Sequence, residues 1–164
     1  INLTYMNVRK ILLGLAALLT ALAGGAGAEM LSSRSNQAER TVMNAVVATT
    51  TGAAFNVADS QDLLWTVSVA NGVTGTLKFA CSGQDSAPDF SGTASTSGRW
   101  GFVNILDVNS NANIVGDTGL VMTNSTTVRQ LYLDNSAGFK WCTAILSPWV
   151  TGTTTVTMSA STNE

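Results

Sequence analysis

TVRQLYLDNSAGFKWCTAILSPWVTGTTTVT, residues 127–157, is the stretch on which the fold turns. Branched and aromatic side chains fill three runs, 128–134, 139–146 and 153–158, and such residues suit a pleated, half-buried surface. Gly and Pro fall only in the two breaks, 135–138 and 147–152, where they can interrupt strand pairing. The spacing predicts a meander of antiparallel strands.

The same pattern repeats upstream. Residues 41–48 (TVMNAVVA) and 53–57 (AAFNV) read as short strands separated by Gly52. In residues 63–70 (LLWTVSVA), Trp65, Val67 and Val69 share one face and Thr66 and Ser68 the other. Asn71-Gly72 follows as a turn signal, and residues 76–82 (TLKFACS) place Leu77, Phe79 and Cys81 on one face, which predicts a hairpin. Residues 83–98 form the longest loop, with Phe90 as its apolar anchor. Residues 99–108 (RWGFVNILDV) are apolar on both faces and read as a central strand. A second loop spans residues 109–119, and a short strand, 120–123, leads into the meander. About eight short strands, no helical period after Arg40 and no internal repeat predict an all-β chain. The expected architecture is a single antiparallel β-sandwich, jelly-roll-like, with immunoglobulin-like connectivity as the other candidate.

The N-terminal part follows different rules. From Met6, a basic Asn7-Val8-Arg9-Lys10 segment, an apolar run at 11–23 and a small-residue ending at Ala28 match a Sec-type signal, with residues 1–5 upstream. That hydrophobic run is short for a transmembrane span. The expected organisation is a signal-like segment at 1–28, a flexible N-terminal arm at 29–42 and a β-sandwich domain at 43–164. Such a product is exported and meets a membrane only during export. If translation opens instead at Met30 or Met43, assembly is cytoplasmic. In a polymer, the arm could lie along a neighbouring subunit as an added strand.

Composition narrows the function further. One domain with a real core fits the 164 residues. Only 11% of residues are charged against 45% hydrophobic, with Thr, Ser, Asn and Gly supplying much of the rest, as on extracellular or virion β-proteins. The net charge of −2 becomes −4 once Arg9 and Lys10 are removed, so no basic patch exists for nucleic acid. Histidine is absent, which removes Ser-His-Asp and Cys-His catalysis and the commonest zinc ligand.

From about Met43 to Ala160 the chain resembles small β-sandwich proteins encoded in bacteriophage and prophage structural-gene clusters. The resemblance runs through NAVVATTTGAAFNV, GTLKF, APDFS, RWGFVNILDV, GDTG, TVRQLYLDNSAGFKWCTAILSPW and the closing GTTTV, in that order. It implies a virion or virion-associated role, such as a head decoration, tail or fibre component, and it brings no catalytic residue or cofactor.

Candidate chemistry is sparse. Cys81 and Cys142 are the two cysteines, and in an oxidising compartment they are expected to pair. Closing that loop of about 60 residues constrains the unfolded chain by roughly 4 kcal/mol in the chain-entropy model. Two buried thiols are the alternative. Asp107, Asn109 and Asn111, with Asp117 beyond, alternate oxygen ligands as calcium loops do. Ala112 and Thr118 nevertheless stand where an EF-hand requires glycine and a bidentate glutamate, and a polar turn explains the spacing more simply. A glycosidase pair would have to come from Asp59, Asp62, Asp85, Asp89, Asp107, Asp117 and Asp134, which fall mostly at turns. Trp65, Trp100 and Trp141 read as core, whereas Trp149 in the 147–152 break is expected to be exposed and is the candidate ligand-binding residue. Arg129 and Lys140 read as isolated strand charges facing solvent or Asp134. Asn124-Ser125-Thr126 fits a glycosylation acceptor, informative only in a eukaryotic host.

These readings favour a non-enzymatic structural or assembly subunit of a virion, an extracellular surface layer or a filament, partnered with itself as a homo-oligomer or polymer. The alternative is a secreted module binding a glycan or another surface ligand through Trp149 and the 83–98 loop. No cofactor is expected.

Overall fold

The computed structural model describes residues 34–36, 39–92, 99–134 and 136–163. The signal-like segment 1–28 and residues 29–33, 37–38 and 93–98 lie outside the described residues. Asn36–Asn163 forms one compact unit. The described residues are all-β and contain no helix. In chain order the strands are β1 (Arg34–Asn36), β2 (Arg40–Val46), β3 (Thr50–Thr51), β4 (Phe55–Asn56), β5 (Asp62–Ser82), β6 (Gly101–Phe102), β7 (Ile105–Asp107), β8 (Ala112–Ile114), β9 (Leu120–Ser125), β10 (Arg129–Leu133) and β11 (Trp141–Asn163).

Two long strands form the spine. β5 and β11 pair antiparallel from Asp62↔Ser161 to Ser82↔Trp141, interrupted by register shifts between Leu146 and Thr153. At that level both chains bend. Asn71 and Gly72 in β5 take φ values of 61° and 64°, and Gly152 in β11 takes 85°. A Cβ on Gly152 would lie 2.6 Å from the Cα of Val73, so glycine is what allows the two backbones to approach at the corner. Strands that pass through a corner by bulges can serve two packed layers, and here one sheet folds over into a sandwich.

Each layer gathers its own short strands around half of the spine. On the first, β10 pairs β5 from Arg129↔Val67 to Leu133↔Leu63. β7 then pairs β10, β8 pairs β7, and β2 lines the other side of β11. On the second, β9 and β6 pair the distal half of β5, and β3 and β4 pair β11. Leu63, Trp65, Val67, Leu131, Val156 and Met158 from the first layer form one buried cluster with Val73, Leu77, Phe79, Cys142, Ala144 and Leu146 from the second. Alternating side chains explain this, because in each spine strand every second residue faces the partner layer.

Several expectations change. The 71–72 hairpin does not form: the left-handed Asn-Gly pair bends a continuous strand, because β11 carries a matching bend and stays paired on both sides of it. The meander is not consecutive either. β10 pairs β5 and β7, and the 147–152 break lies inside β11, where Gly152 supplies the bend. Residues 99–108 are not one central strand. Gly101–Phe102 flanks β5 and Ile105–Asp107 flanks β10, so each half serves a different layer. Part of the expected 109–119 loop is β8, which closes a hairpin with β7.

Candidate functional site

The outer face of the second layer carries a groove. Cross-strand pairs share a face, so Lys78↔Ile145, Ala80↔Thr143 and Ala80↔Phe102 place all five side chains on the surface opposite the main core. Thr51↔Ile145 adds Thr51 to the same face. Over this sheet lie residues 89–91 together with residues 99–100, held by hydrogen bonds of their own. The Asp89 carboxylate accepts from the Ser91 backbone N–H at 2.9 Å and from its hydroxyl at 2.5 Å, an Asx turn that presents Phe90 to the sheet. The Trp100 indole N–H donates to the Asp89 carbonyl at 3.1 Å. Ser82 ties the base of the segment by donating to the Arg99 carbonyl at 2.6 Å.

These contacts build a second hydrophobic cluster of Ala80, Phe90 and Trp100, with Phe102, Trp141 and Ile145 packed against it. The rings of Phe90 and Trp100 are 5.6 Å apart, and Trp100 meets Phe102 edge-on at 5.4 Å. Phe90 therefore anchors the segment, in line with its reading in the sequence. Beside the cluster opens a cavity of about 590 Å³, walled by Phe90 to Gly92, Trp100 and Phe102 on one side and Thr49 to Thr51 on the other. Lys78, Ile145 and Ser147 complete the lining, and the Lys78 ammonium sits 4.8 Å from the centre of the Phe102 ring. Among the described residues the groove is lined by Thr and Ser side chains, aromatic rings and one cation, with no carboxylate or thiol.

The residues singled out in the sequence do not converge on this groove. Cys81 and Cys142 lie opposite each other in the spine, with Cα atoms 4.2 Å apart, and are joined by a disulfide buried in the main core. Trp149 is not exposed. It is half-buried against the main core, where its indole N–H donates to the Gly152 carbonyl at 3.1 Å, because the bend in β11 turns it inward. Trp65 is buried in the main core, whereas Trp100 and Trp141 belong to the outer cluster.

The oxygen-rich segment after β7 is a structural turn. Asp107 is buried; one carboxylate oxygen accepts from the Asn109 N–H at 3.0 Å, and the other forms an ion pair with Arg129. Asn109 in turn accepts from the Gln130 N–H at 2.8 Å. Asn111 takes a left-handed φ of 53° in the turn, and Asp117 is exposed in a separate one. Burial opposes the charged form of Asp107, but hydrogen bonds from Ser110, Arg129 and Asn109, with the guanidinium charge, hold its carboxyl below the usual range. Arg129 and Lys140 pair with Asp107 and Asp85 rather than with Asp134. Among the described residues no group of three or more His, Cys, Asp or Glu side chains gathers as metal ligands would.

The groove residues Lys78, Thr49, Thr50, Thr51 and Ser147 were not singled out from sequence. The available signal is the alternation in residues 76–82, which turns Lys78 away from Leu77 and Phe79.

No family model matches the chain, and no curated protein matches it. Among solved structures, the SPBc2 prophage-derived protein YomS matches with a TM-score of 0.56 and 16% identity, over 79% of this chain and 95% of that one. The PBSX exported protein XepA matches with a TM-score of 0.55 and 16% identity, over 80% of this chain. The match takes in 39% of XepA, well short of its length. At such identity the likeness is one of fold: this chain shares the sandwich found in proteins of prophage origin.

Proposed function

We propose that this chain is a non-enzymatic structural subunit, exported from the cell, that assembles with copies of itself into a virion component or an extracellular surface layer or filament. The observation that carries the reading is the fold held in common with YomS along nearly the whole of that prophage-derived protein. The name of XepA, an exported prophage protein, supports export, as do the Sec-like pattern at 6–28 and the disulfide between Cys81 and Cys142. A surface low in charge, with Val47, Val121 and Val150 each more than half exposed, suits packing against identical neighbours. The edge strand β2 is bulged, with register shifts against β11 and Ala45 at a φ of 47°. Such an edge resists indiscriminate strand addition and leaves assembly to side-chain surfaces.

The test is to produce the full chain in an exporting host and examine the purified protein by electron microscopy and sedimentation. The proposal expects a defined oligomer or polymer of one size class or repeat. A species that remains monomeric at high concentration contradicts it.

A further inference from the structure

We propose that the groove between Thr49 to Thr51 and the Phe90–Trp100–Phe102 wall binds an acidic saccharide, a pyranose unit carrying a carboxylate, with Lys78 as the residue that recognises the charge. This goes beyond the assembly reading, since a subunit of any assembly can carry such a site. Three features converge. The cavity of about 590 Å³ falls within the range of small-ligand sites, roughly 300–1,000 Å³, and has room for one or two sugar rings. Its rim bears the hydroxyls of Thr49, Thr50, Thr51, Ser91 and Ser147. The Thr50 and Ser91 hydroxyls donate to the Ala48 carbonyl and the Asp89 carboxylate, and that of Thr49 accepts from the Trp149 N–H. Thr50 and Ser91 thus keep acceptor capacity, and Thr49 its donor, for a polyhydroxylated ligand. Its wall is lined by Phe90, Trp100 and Phe102, whose apolar carbons can pack against the C–H groups of a sugar ring.

Charge selects the class. Among the described residues Lys78 is the one charged side chain lining the groove, and neither of the ion pairs Arg129–Asp107 and Lys140–Asp85 involves it. The ammonium lies over the Phe102 ring, which fixes its position while leaving its hydrogen-bonding capacity for a ligand. An ammonium partly removed from water beside hydroxyls favours a carboxylate over a neutral group. The nearby Asp89 is not part of the lining, and its carboxylate is turned to the Ser91 N–H and hydroxyl.

The experiment is calorimetric titration of the full chain with trigalacturonic acid, with its fully methyl-esterified form, and with inorganic phosphate. The proposal expects saturable binding of the acid, at least ten-fold weaker binding of the ester, and no displacement of the acid by equimolar phosphate. Lys78→Gln should weaken the acid at least ten-fold while leaving the ester unchanged. Ser91→Trp, at an exposed rim position, should block both sugars and decides the matter if Lys78→Gln does not fold. Absence of saturable binding, equal affinity for acid and ester, displacement by phosphate, or unchanged binding in either folded variant overturns the proposal.

Discussion

The rings of Trp65 and Phe79 lie 5.0 Å apart, centre to centre, although both residues belong to the single strand β5. Fourteen residues of straight strand would separate them by about 46 Å. The contact therefore records the fold in one distance: β5 leaves the first layer, bends at Asn71-Gly72 and returns over itself in the second. Both rings are buried in the main core, so this pair joins the layers directly. A double-mutant cycle with Trp65→Leu and Phe79→Leu should show a coupling of about 0.5–1.5 kcal/mol in urea unfolding. Additive losses would mean that the rings do not meet.

Gly152 should tolerate no side chain. Its φ of 85° strains any L residue, and an added Cβ would meet Val73 backbone atoms at 2.6–2.8 Å. Gly152→Ala is expected to cost about 3 kcal/mol or more, through left-handed strain together with displacement of the paired strand. Gly138 supplies the control, since its φ is 95° but nothing lies within 4 Å of an added Cβ. Gly138→Ala should cost about 1 kcal/mol, the strain alone. Equal losses in thermal unfolding would show that the corner has room.

Much of this was legible in the chain, and the limits have a physical origin. The alternation of Leu63, Trp65 and Val67, and of Leu77 and Phe79, marks inward faces whichever strands become neighbours, so the all-β class and much of the core could be read directly. Partner choice could not. β10 reads as a strand in either pairing, but it lies beside β5 rather than β11, a choice made by burial between segments some 65 residues apart. Asn71-Gly72 carries the backbone signature of a tight turn, and its left-handed angles do occur. What turns a hairpin into a bend is Gly152, some 80 residues away. The groove was invisible for the same reason: Thr50, Lys78, Phe90 and Ser147 come from four separate segments with no common spacing.

Asp107 should shape the response to acid. Its carboxyl titrates below the ordinary value in the folded protein and near about 3.9 in the unfolded chain. The unfolded state then takes up the proton first, so the stabilisation is present in full above about pH 5 and is lost as pH falls through the folded value. Asp107→Asn should flatten this part of the acid limb and, with Arg129 one-third exposed, cost about 1 kcal/mol at neutral pH. Urea midpoints from about pH 7 to about pH 2 check both effects. A variant with an acid limb as steep as that of the parent protein contradicts the assignment.

The Cys81–Cys142 bridge should contribute strongly to stability, because it closes 61 positions of chain. Cys81→Ala with Cys142→Ala is expected to lower the unfolding free energy by about 4 kcal/mol in the chain-entropy model. Non-reducing denaturation curves of the two proteins measure it, and coincident midpoints would contradict the expectation.

The role proposed for the chain is that of a repeated part of an assembly outside the cell. The most direct measurement is to fractionate extracellular material from the native source on a density gradient and quantify this chain by mass spectrometry. In that role it should sediment with particles or filaments, in many copies per assembly, as a product trimmed near Ala28 and carrying the intact disulfide. Recovery of the chain as free monomer in the soluble fraction, with none in assembled material, would contradict it.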